Sequence, residues 1–491
     1  MNFRVIIKML GYFLFYFALT MLIPLLWSLY EGGPGYPYFA LTILVTVTVG
    51  YLVKNFVPAD EMDIALKDGF AIVTFAWILA AAVGAVPFLL MGVFDNFVDA
   101  FFETMSGFTT TGATVIEDIE ALPRDILLWR SQTQWLGGMG IVVLFVALLP
   151  RLGIKGMQLL KAEVPGPVTE KVVPRVAKTA KILWLIYVSL TAAQIILMTL
   201  AGVEFYNAVS HAFTTMPTGG FSPFNDSIAG FDSALVEGII VVFMMLAGVN
   251  FALYYNVVRG QPRNLLHNEE FRFYLGGLAL FTIAVTVYLF MNGHGDTIFS
   301  SFRKGIFQVV SIATTTGYVT EDYELWPPFT RQLLFFLMFL GGCGGSTGGS
   351  IKQVRILAMI KHSFRELYKL IHPNAVIPVR INKKAVEEPV IFSILGYIIL
   401  YVLIFLLSTL IISISMNISM DTSFSATAAT LGNVGPGLGQ VGPVETYAFF
   451  NAPIKLLLSF LMMLGRLEVY TVLVMLLPEF RSFGKKRRRL F

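Results

Sequence analysis

The stretch Phe108-Thr109-Thr110-Thr111-Gly112-Ala113-Thr114 follows an apolar segment, Phe97 to Phe108, that is too short to cross a bilayer as a helix. Three further stretches resemble it, and each lies between two long hydrophobic runs: 213–221, 312–318 and 428–433. Threonine favours an extended backbone and glycine permits positive φ, so the combination suits a stretched chain. The repetition predicts a fold built from four copies of one unit.

The composition is that of an integral membrane protein. Of the 491 residues, 56% are hydrophobic and only 13% are charged, whereas a soluble domain has about 25% charged residues. The net charge of +4 is no signal for nucleic acid, because the charges lie mostly in loops between apolar runs. Cys343 is the single cysteine, which excludes disulfides within the chain and a cysteine metal cluster. The first apolar run, roughly 6–29, has no small-residue cleavage site and is predicted to be a retained span.

Ten hydrophobic runs are long enough to span a bilayer, which takes about 20 residues. Two of them form a leader pair, and the other eight flank the four Thr/Gly stretches in pairs. The predicted spans are 8–30 and 36–53, 68–92 and 131–150, 181–203 and 235–258, 271–292 and 331–360, 390–414 and 453–478. The predicted fold is an all-α integral membrane protein with four helix–pore-loop–helix repeats in a pseudo-fourfold arrangement plus two leader transmembrane helices.

The same pattern divides the chain into five parts. The two-helix leader covers 1–60, and the first two pore repeats cover 61–165 and 166–262. The third repeat, 263–375, contains a glycine-rich intramembrane segment, and the fourth, 376–491, ends in a basic tail.

Basic residues predict the orientation, because they favour cytoplasmic loops. They cluster at one end of the spans, in 4–8, 54–67, 151–181, 259–263, 361–384 and 485–489. The connectors that hold the Thr/Gly stretches carry few bases (Arg124, Arg130, Arg303, Lys304) and more acids. Both termini are therefore predicted to be cytoplasmic. The acids are either ordinary solvated loop charges or an outer vestibule that concentrates cations.

The Thr/Gly stretches predict a backbone filter for a cation. Non-helical backbone at membrane depth is tolerated only where it is buried in protein or lines a watery cavity. Each half-helix before a stretch directs its negative, C-terminal dipole end towards the centre. Four extended stretches around one axis would form a ring of carbonyl oxygens that can replace an ion's water shell. The stretches themselves contain no carboxylate.

These repeats resemble the Trk/Ktr/HKT superfamily of potassium transporters, and the leader pair with the long third-repeat helix resembles its TrkH branch. The resemblance covers essentially the whole chain and implies one selectivity glycine per copy: Gly112, Gly220, Gly317 and Gly432. Met216-Pro217 leaves the second copy open between Gly219 and Gly220, and Leu431 replaces a threonine in the fourth. The implied filter for the transported K⁺ comprises Thr110, Thr111, Gly112, Thr218, Gly219, Gly220, Thr315, Thr316, Gly317, Thr430, Leu431 and Gly432. Glycine at 112, where some sodium-preferring relatives have serine, favours potassium.

The predicted eighth span is interrupted by six glycines within 341–350, each costing about 1 kcal/mol in a helix relative to alanine. The segment lacks the pattern of a phosphate-binding loop, and a helix-packing surface of small residues remains an alternative. The resemblance implies instead a movable gate below the filter, formed by Gly344, Gly345, Ser346, Thr347, Gly348 and Gly349.

Arg466 lies within the last predicted span, where a charge needs a partner or access to water. Its side chain either pairs with Glu468 or snorkels to an interface. Alternatively, it is the cavity-facing arginine that the resemblance places below the filter and against the gate. Glu103 is predicted to be buried and bonded to filter backbone, and His211 to be a satisfied packing residue. Gly137, Gly138 and Gly140 are predicted to permit close helix packing.

Three classes of function compete. The first is gated potassium uptake across the bacterial inner membrane. The second is a secondary transporter, for which two inverted halves rather than four copies of the same sense are expected. The third is a membrane enzyme, disfavoured because no catalytic set stands out. The resemblance further implies a homodimer, with the 331–360 helix as its interface, and a cytosolic nucleotide-binding regulatory subunit of the TrkA type on the basic loops, which otherwise only enforce topology. Membrane lipid surrounds the spans. No nucleic acid and no covalent cofactor are expected.

Overall fold

The computed structural model describes residues 2–58, 66–138, 140 and 176–478, and this part of the chain is mostly helical. The leader consists of α1 (Phe3–Thr20), α2 (Leu22–Glu31) and α3 (Tyr36–Phe56). Its two predicted spans, 8–30 and 36–53, are confirmed as Phe3–Glu31 and Tyr36–Phe56.

Each of the four repeats contributes a long first helix, a pore helix and a last helix. The helices are α4 (Leu66–Leu90), α5 (Phe97–Phe108) and α6 (Arg124–Gly138); α7 (Val176–Leu200), α8 (Phe205–Thr215), α9 (Ala234–Ala247), α10 (Phe251–Val258) and α11 (Arg263–His267); α12 (Glu269–Met291), α13 (Ile298–Ala313), α14 (Pro328–Leu337) and α15 (Gln353–Ile371); α16 (Glu388–Ser415), α17 (Met420–Leu431), α18 (Ala452–Arg466) and α19 (Tyr470–Leu473). Short 3-10 turns lie at Ser227–Phe231, Tyr323–Leu325, Gly439–Val441 and Val474–Leu476. A small antiparallel hairpin joins β1 (Arg380–Ile381) to β2 (Lys384–Ala385).

Within the described residues, six helical segments are long and apolar enough to cross a membrane: the two leader spans and the four first helices. In α7, α12 and α16 only 22 to 33% of the most apolar window is buried inside the protein, so these helices leave most of their surface for lipid. In α4 the buried share is 61%, because leader helix α1 packs against it. The predicted fold class of an all-α membrane protein with a two-helix leader is confirmed.

The four pore helices are short and buried. Three of them begin at a residue whose side chain accepts a hydrogen bond from the first turn: Asn96, Thr297 and Ser419. Such caps satisfy amide groups that a helix leaves unpaired at its start. The stretch Phe97–Phe108, predicted as a short helix, is helical over those same residues.

The last helices of the repeats differ from the prediction. The predicted spans 235–258 and 453–478 are not continuous, because the chain bends by 96° between α9 and α10 and by 110° after α18. Average hydrophobicity cannot distinguish one straight span from a bent pair of shorter helices, which explains the error. In the span 331–360, by contrast, the predicted interruption at the six glycines is confirmed: α14 ends at Leu337, α15 begins at Gln353, and 341–350 is not helical. Of the predicted span 131–150, α6 covers the part up to Gly138; its continuation, the basic loop after it and the basic tail lie outside the described residues.

Candidate ion filter and gate

Every pore helix ends in the same four-residue turn, here called a filter stretch. The stretches are Thr109–Gly112, 217–220, Thr314–Gly317 and 432–435. In each, the third residue donates its N–H to a carbonyl in the last turn of the pore helix: Thr111 to Ser106 (2.9 Å), Gly219 to Thr214 (2.8 Å), Thr316 to Ser311 (2.8 Å) and Val434 to Ala429 (2.8 Å).

The filter stretches also share an alternation of backbone conformation. The second and fourth residues have positive φ: Thr110 (54°) and Gly112 (84°), Thr218 (59°) and Gly220 (82°), Thr315 (59°) and Gly317 (80°), Asn433 (54°) and Gly435 (97°). In a β-strand successive carbonyls point to opposite sides. A chain that alternates between right- and left-handed conformations turns them towards one side instead, as a carbonyl filter requires.

This geometry corrects the fourth copy. The glycine equivalent to Gly112 is Gly435, three residues after the predicted Gly432. Gly432 instead caps α17 with a φ of −81°, and Thr430 and Leu431 belong to the last turn of that helix. In the second copy the equivalent glycine is Gly220, and Gly219 takes the position of Thr111.

The four stretches close into a ring. A Cβ atom added to each filter glycine would overlap the carbonyl oxygen of the residue before the filter glycine in the next copy: Gly112 with Gly219, Gly220 with Thr316, Gly317 with Val434, and Gly435 with Thr111. The contacts run through the copies in the order one, two, three, four and back to one. Glycine is therefore required at these positions both by φ and by the approach of the neighbouring stretch.

Glu103 of pore helix α5 supports the segment after the first filter glycine. It is 1% exposed and accepts hydrogen bonds from Val115 N (2.9 Å) and Thr114 Oγ1 (2.9 Å). This confirms the predicted bonding to backbone beside the filter. The sequence did not reveal its partner: Arg130 Nε donates to Glu103 Oε1 at 2.7 Å, and its guanidinium lies 3.6 Å from the ring centroid of Phe221. Arg130 is thus a buried support and not a solvated connector charge.

The residues equivalent to Glu103 differ in the other copies, and in the second and third copies they also reach the segment after the filter glycine. His211 Nε2 lies 3.1 Å from Ser222 Oγ, and its Nδ1 lies 2.8 Å from Asn207 O, so the predicted packing role is confirmed. In the third copy Gln308 Nε2 lies 3.4 Å from Thr320 Oγ1. Ala426 occupies the position in the fourth copy, where neighbouring Ser425 bonds the backbone of Leu438 at 2.9 Å.

Two further side chains stabilise individual filter stretches: Gln134 the second and Tyr318 the third. Gln134 donates to Gly219 O (2.7 Å) and accepts from Phe221 N (3.1 Å), and it occupies the space that a side chain at 219 would need. In the third copy the Tyr318 hydroxyl lies 2.5 Å from Thr214 Oγ1 and donates to His211 O at 3.1 Å. The second and third copies are thereby bonded to each other.

The glycine-rich segment 341–350, here called the gate loop, lies directly against the ring. Gly349 N donates to Oγ1 of the filter residue Thr315 at 2.6 Å, and a Cβ at Gly349 would overlap Gly432 O. Thr347 Oγ1 donates to Met216 O (3.0 Å), and Ser350 Oγ donates to Met338 O (2.8 Å). The loop therefore touches the second, third and fourth copies at once. Packing of two helices through small residues does not describe this segment, because it is not helical.

Arg466 reaches across the same region from the end of α18. Its Nη1 donates to Thr347 O of the gate loop (2.5 Å), and its Nη2 donates to Gly137 O (2.7 Å) and Gly138 O (2.8 Å) of α6. Glu468, the alternative partner, pairs with Arg355 instead. One guanidinium thus connects the first, third and fourth repeats. The predicted close packing of Gly137 and Gly138 is confirmed, since a Cβ at either would overlap Phe108 O or Pro217 Cβ; Gly140 has a φ of 66°.

Several acids of the connectors are engaged in ion pairs. Asp99 pairs with Lys455 (2.6 Å), Glu321 with Lys304 (2.5 Å) and Glu324 with Arg331 (3.0 Å). Because each of these three carboxylates faces a neighbouring base, they fit ordinary loop charges better than an outer vestibule that concentrates cations. Glu117 and Asp118 remain exposed beside the first copy.

Sequence reasoning missed Gly435, although a signal was present. In every copy the residue two before the filter glycine has positive φ, and asparagine adopts that conformation more readily than most residues. Asn433-Val434-Gly435 carries this signal. Arg130, Gln134 and Tyr318 gave none, because their partners lie far away in the sequence.

Comparisons with known proteins agree over the whole chain. A model of the TrkH family, described as cation transport protein, matches residues 37–484. The Trk system potassium uptake protein TrkH of Salmonella typhimurium is 39% identical over 98% of this chain and 99% of its own length, and that of Vibrio parahaemolyticus is 40% identical over the same shares. The crystal structure of the potassium transporter TrkH from Vibrio parahaemolyticus superimposes with a TM-score of 0.89 at 37% identity, covering 98% of this chain and all of the other.

Proposed function

The chain belongs to the TrkH family of cation transport proteins, and on this premise we propose that it takes up potassium through a gated pore formed by the four filter stretches. The observation that carries the proposal is the closed ring of filter glycines, each lying against a carbonyl of the next copy. The relatives are named for potassium uptake and not for an enzymatic reaction.

We propose that carbonyl oxygens of the stretches Thr110–Gly112, 218–220, Thr315–Gly317 and 433–435 replace water around K⁺. The pore helices support this role, because all four end at the ring and direct their negative dipole ends towards it. Neutral carbonyls suit a conducting site, since binding must be weak enough to release the ion.

We propose that the gate loop and Arg466 close the pathway. The loop is bonded to the filter residue Thr315, and the guanidinium places a positive charge next to the loop. A cation leaving the filter would meet both a steric and an electrostatic barrier. Opening requires the loop to release its bonds to the ring and to Arg466.

We also propose where the protein lies and what it assembles with. It lies in a bacterial inner membrane with both termini cytoplasmic, it forms a homodimer, and a cytosolic nucleotide-binding subunit of the TrkA type controls the gate. The family supports it, and so does the position of the basic segments at one end of the spans. The division into a leader, 1–60, and four repeats ending at 165, 262, 375 and 491 is proposed with it.

The test is ⁸⁶Rb⁺ entry into liposomes that contain the purified chain and an internal K⁺ load. We expect uptake that external K⁺ inhibits and Na⁺ does not. Gly112→Ser should abolish this discrimination, and Arg466→Ala should raise the basal rate. If Arg466→Ala and the wild type are both silent, although each is folded and inserted, the conduction proposal fails.

A further inference from the structure

The gate loop has a second charged attachment besides Arg466. Glu270 lies in the first turn of α12, the first helix of the third repeat, and its side chain is directed at the loop. Glu270 Oε1 accepts hydrogen bonds from Gly344 N at 2.5 Å and from Val354 N at 3.1 Å. One carboxylate oxygen therefore holds an amide within the loop and another just after it.

The position of Glu270 is unusual for a carboxylate. The residue is 6% exposed, and a buried charge is costly unless hydrogen bonds compensate for the lost water. The loop supplies that compensation, because a glycine-rich segment without helical structure leaves N–H groups that need an acceptor. The Glu270 carboxylate and the loop amides thus satisfy each other's need for a hydrogen-bond partner only while the loop occupies the position seen here.

Glu270 and Arg466 act on the loop from different elements and on opposite groups. Arg466 donates to a carbonyl, Thr347 O, whereas Glu270 accepts from amides. Lys352 Nζ also donates to Gly348 O of the loop, but Lys352 lies two residues after the loop and would move together with it. Among the charged side chains just named, only Glu270 and Arg466 belong to helices outside the loop.

We propose that Glu270 is a latch, a positioning residue that keeps the gate loop in its closing position and must release Gly344 and Val354 before ions pass. This inference rests on the proposed function of the loop as a gate. It assigns the third repeat's own first helix a part in gating. Movement of the start of α12 relative to α15, which begins at Gln353, would pull on the latch directly.

Cys343 provides a reporter for the test. It is the single cysteine of the chain, it is 0% exposed, and it precedes Gly344. In the purified full-length protein in lipid nanodiscs, the rate at which N-ethylmaleimide modifies Cys343 is measured by intact mass. Rubidium influx is measured in parallel in liposomes.

Glu270→Ala removes the acceptor, and we expect modification at least about tenfold faster together with a raised basal influx, since hydrogen bonds to charged groups are among the stronger ones. Glu270→Gln keeps an acceptor oxygen and should show a smaller increase. The matched control is Glu269→Gln, because Glu269 on the same turn pairs with Lys361 instead; its rate should stay within about twofold of wild type.

The outcomes separate the latch from the gate. If Glu270→Ala reacts at the wild-type rate while Arg466→Ala reacts faster, the latch is refuted and the gate stands. If both variants react faster but neither admits more rubidium, Glu270 does hold the loop but the loop is not the gate. Should Glu270→Ala not purify as a single species, Glu270→Asp replaces it, because a carboxylate one methylene shorter cannot serve both amides; a wild-type rate there refutes the latch equally.

Discussion

The first and third filter stretches are built alike, whereas the second and fourth are built from different residues. Thr109 and Thr111 bond each other through their hydroxyls at 2.8 Å, and Thr314 and Thr316 do the same at 2.7 Å. The corresponding pairs are Pro217 with Gly219, and Gly432 with Val434. The backbone is nevertheless the same in all four. A ring of carbonyls thus requires a conformation and one glycine per copy, and it leaves the other side chains free to change.

What differs between copies is how each stretch is supported. The first has a buried ion pair, the second a histidine and a glutamine amide, the third a tyrosine hydroxyl and the fourth a serine. Equal backbones with unequal supports should respond differently to the same kind of mutation. Four variants test this, in order of decreasing effect.

Glu103→Ala should destabilise the protein most. It leaves Arg130 buried without its carboxylate, a change that costs about 3–5 kcal/mol. The equivalent Gln308→Ala in the third copy removes a neutral side chain with one long hydrogen bond and should cost about 1 kcal/mol. Thermal unfolding in detergent measures both. Equal shifts in melting temperature would mean that the ion pair adds nothing to the first copy.

Gly435→Ser should reduce the preference for K⁺ over Na⁺ by about tenfold or more. A side chain there meets both the positive φ and the carbonyl of Thr111, and such backbone strain costs about 1–3 kcal/mol. Gly432→Ala is the comparison variant: its φ of −81° is ordinary, but a Cβ there would lie 2.8 Å from Ala428 O and from Met338 O, so we expect lower stability with unchanged selectivity. Competition of Na⁺ and K⁺ with rubidium influx measures the preference. If Gly432→Ala lost selectivity while Gly435→Ser kept it, Gly432 would be the filter glycine after all.

Tyr318→Phe should weaken selectivity moderately, by about fivefold, which corresponds to about 1 kcal/mol. The variant loses the bonds that tie the third stretch to pore helix α8 but keeps the aromatic ring in its buried position. Rubidium influx in competition with Na⁺ measures the effect, with Tyr288→Phe, a partly exposed ring on α12, as the control. If Tyr318→Phe behaves like this control, the hydroxyl does not set the width of the ring.

The sequence was sufficient for most features that depend on local pattern. Apolar runs located the leader and the first helices, and the pairing of Thr with Gly located three of the four stretches. It failed where the answer depends on distant parts of the chain. Hydrophobicity continued through the bends after α9 and α18, and the partner of Glu103 is 27 residues away. The fourth stretch failed for a different reason: a match by residue type favoured Thr430-Leu431-Gly432 over the conformational signal of Asn433.

Thr316→Val should have the smallest effect and is the most direct test of the comparison. It gives the third copy the residue that the fourth already has as Val434, with nearly the same shape and without the hydroxyl. Thr314 Oγ1 loses one partner but still donates to Val310 O at 2.7 Å. We therefore expect a loss of about 1 kcal/mol or less in stability and unchanged ion selectivity in rubidium competition. The atoms nearest to a Cβ at Gly220 are backbone atoms, first among them Thr316 O. A marked loss of selectivity would therefore show that the hydroxyl pairs of the first and third copies belong to the filter itself, and that these copies differ from the second and fourth in function as well as in construction.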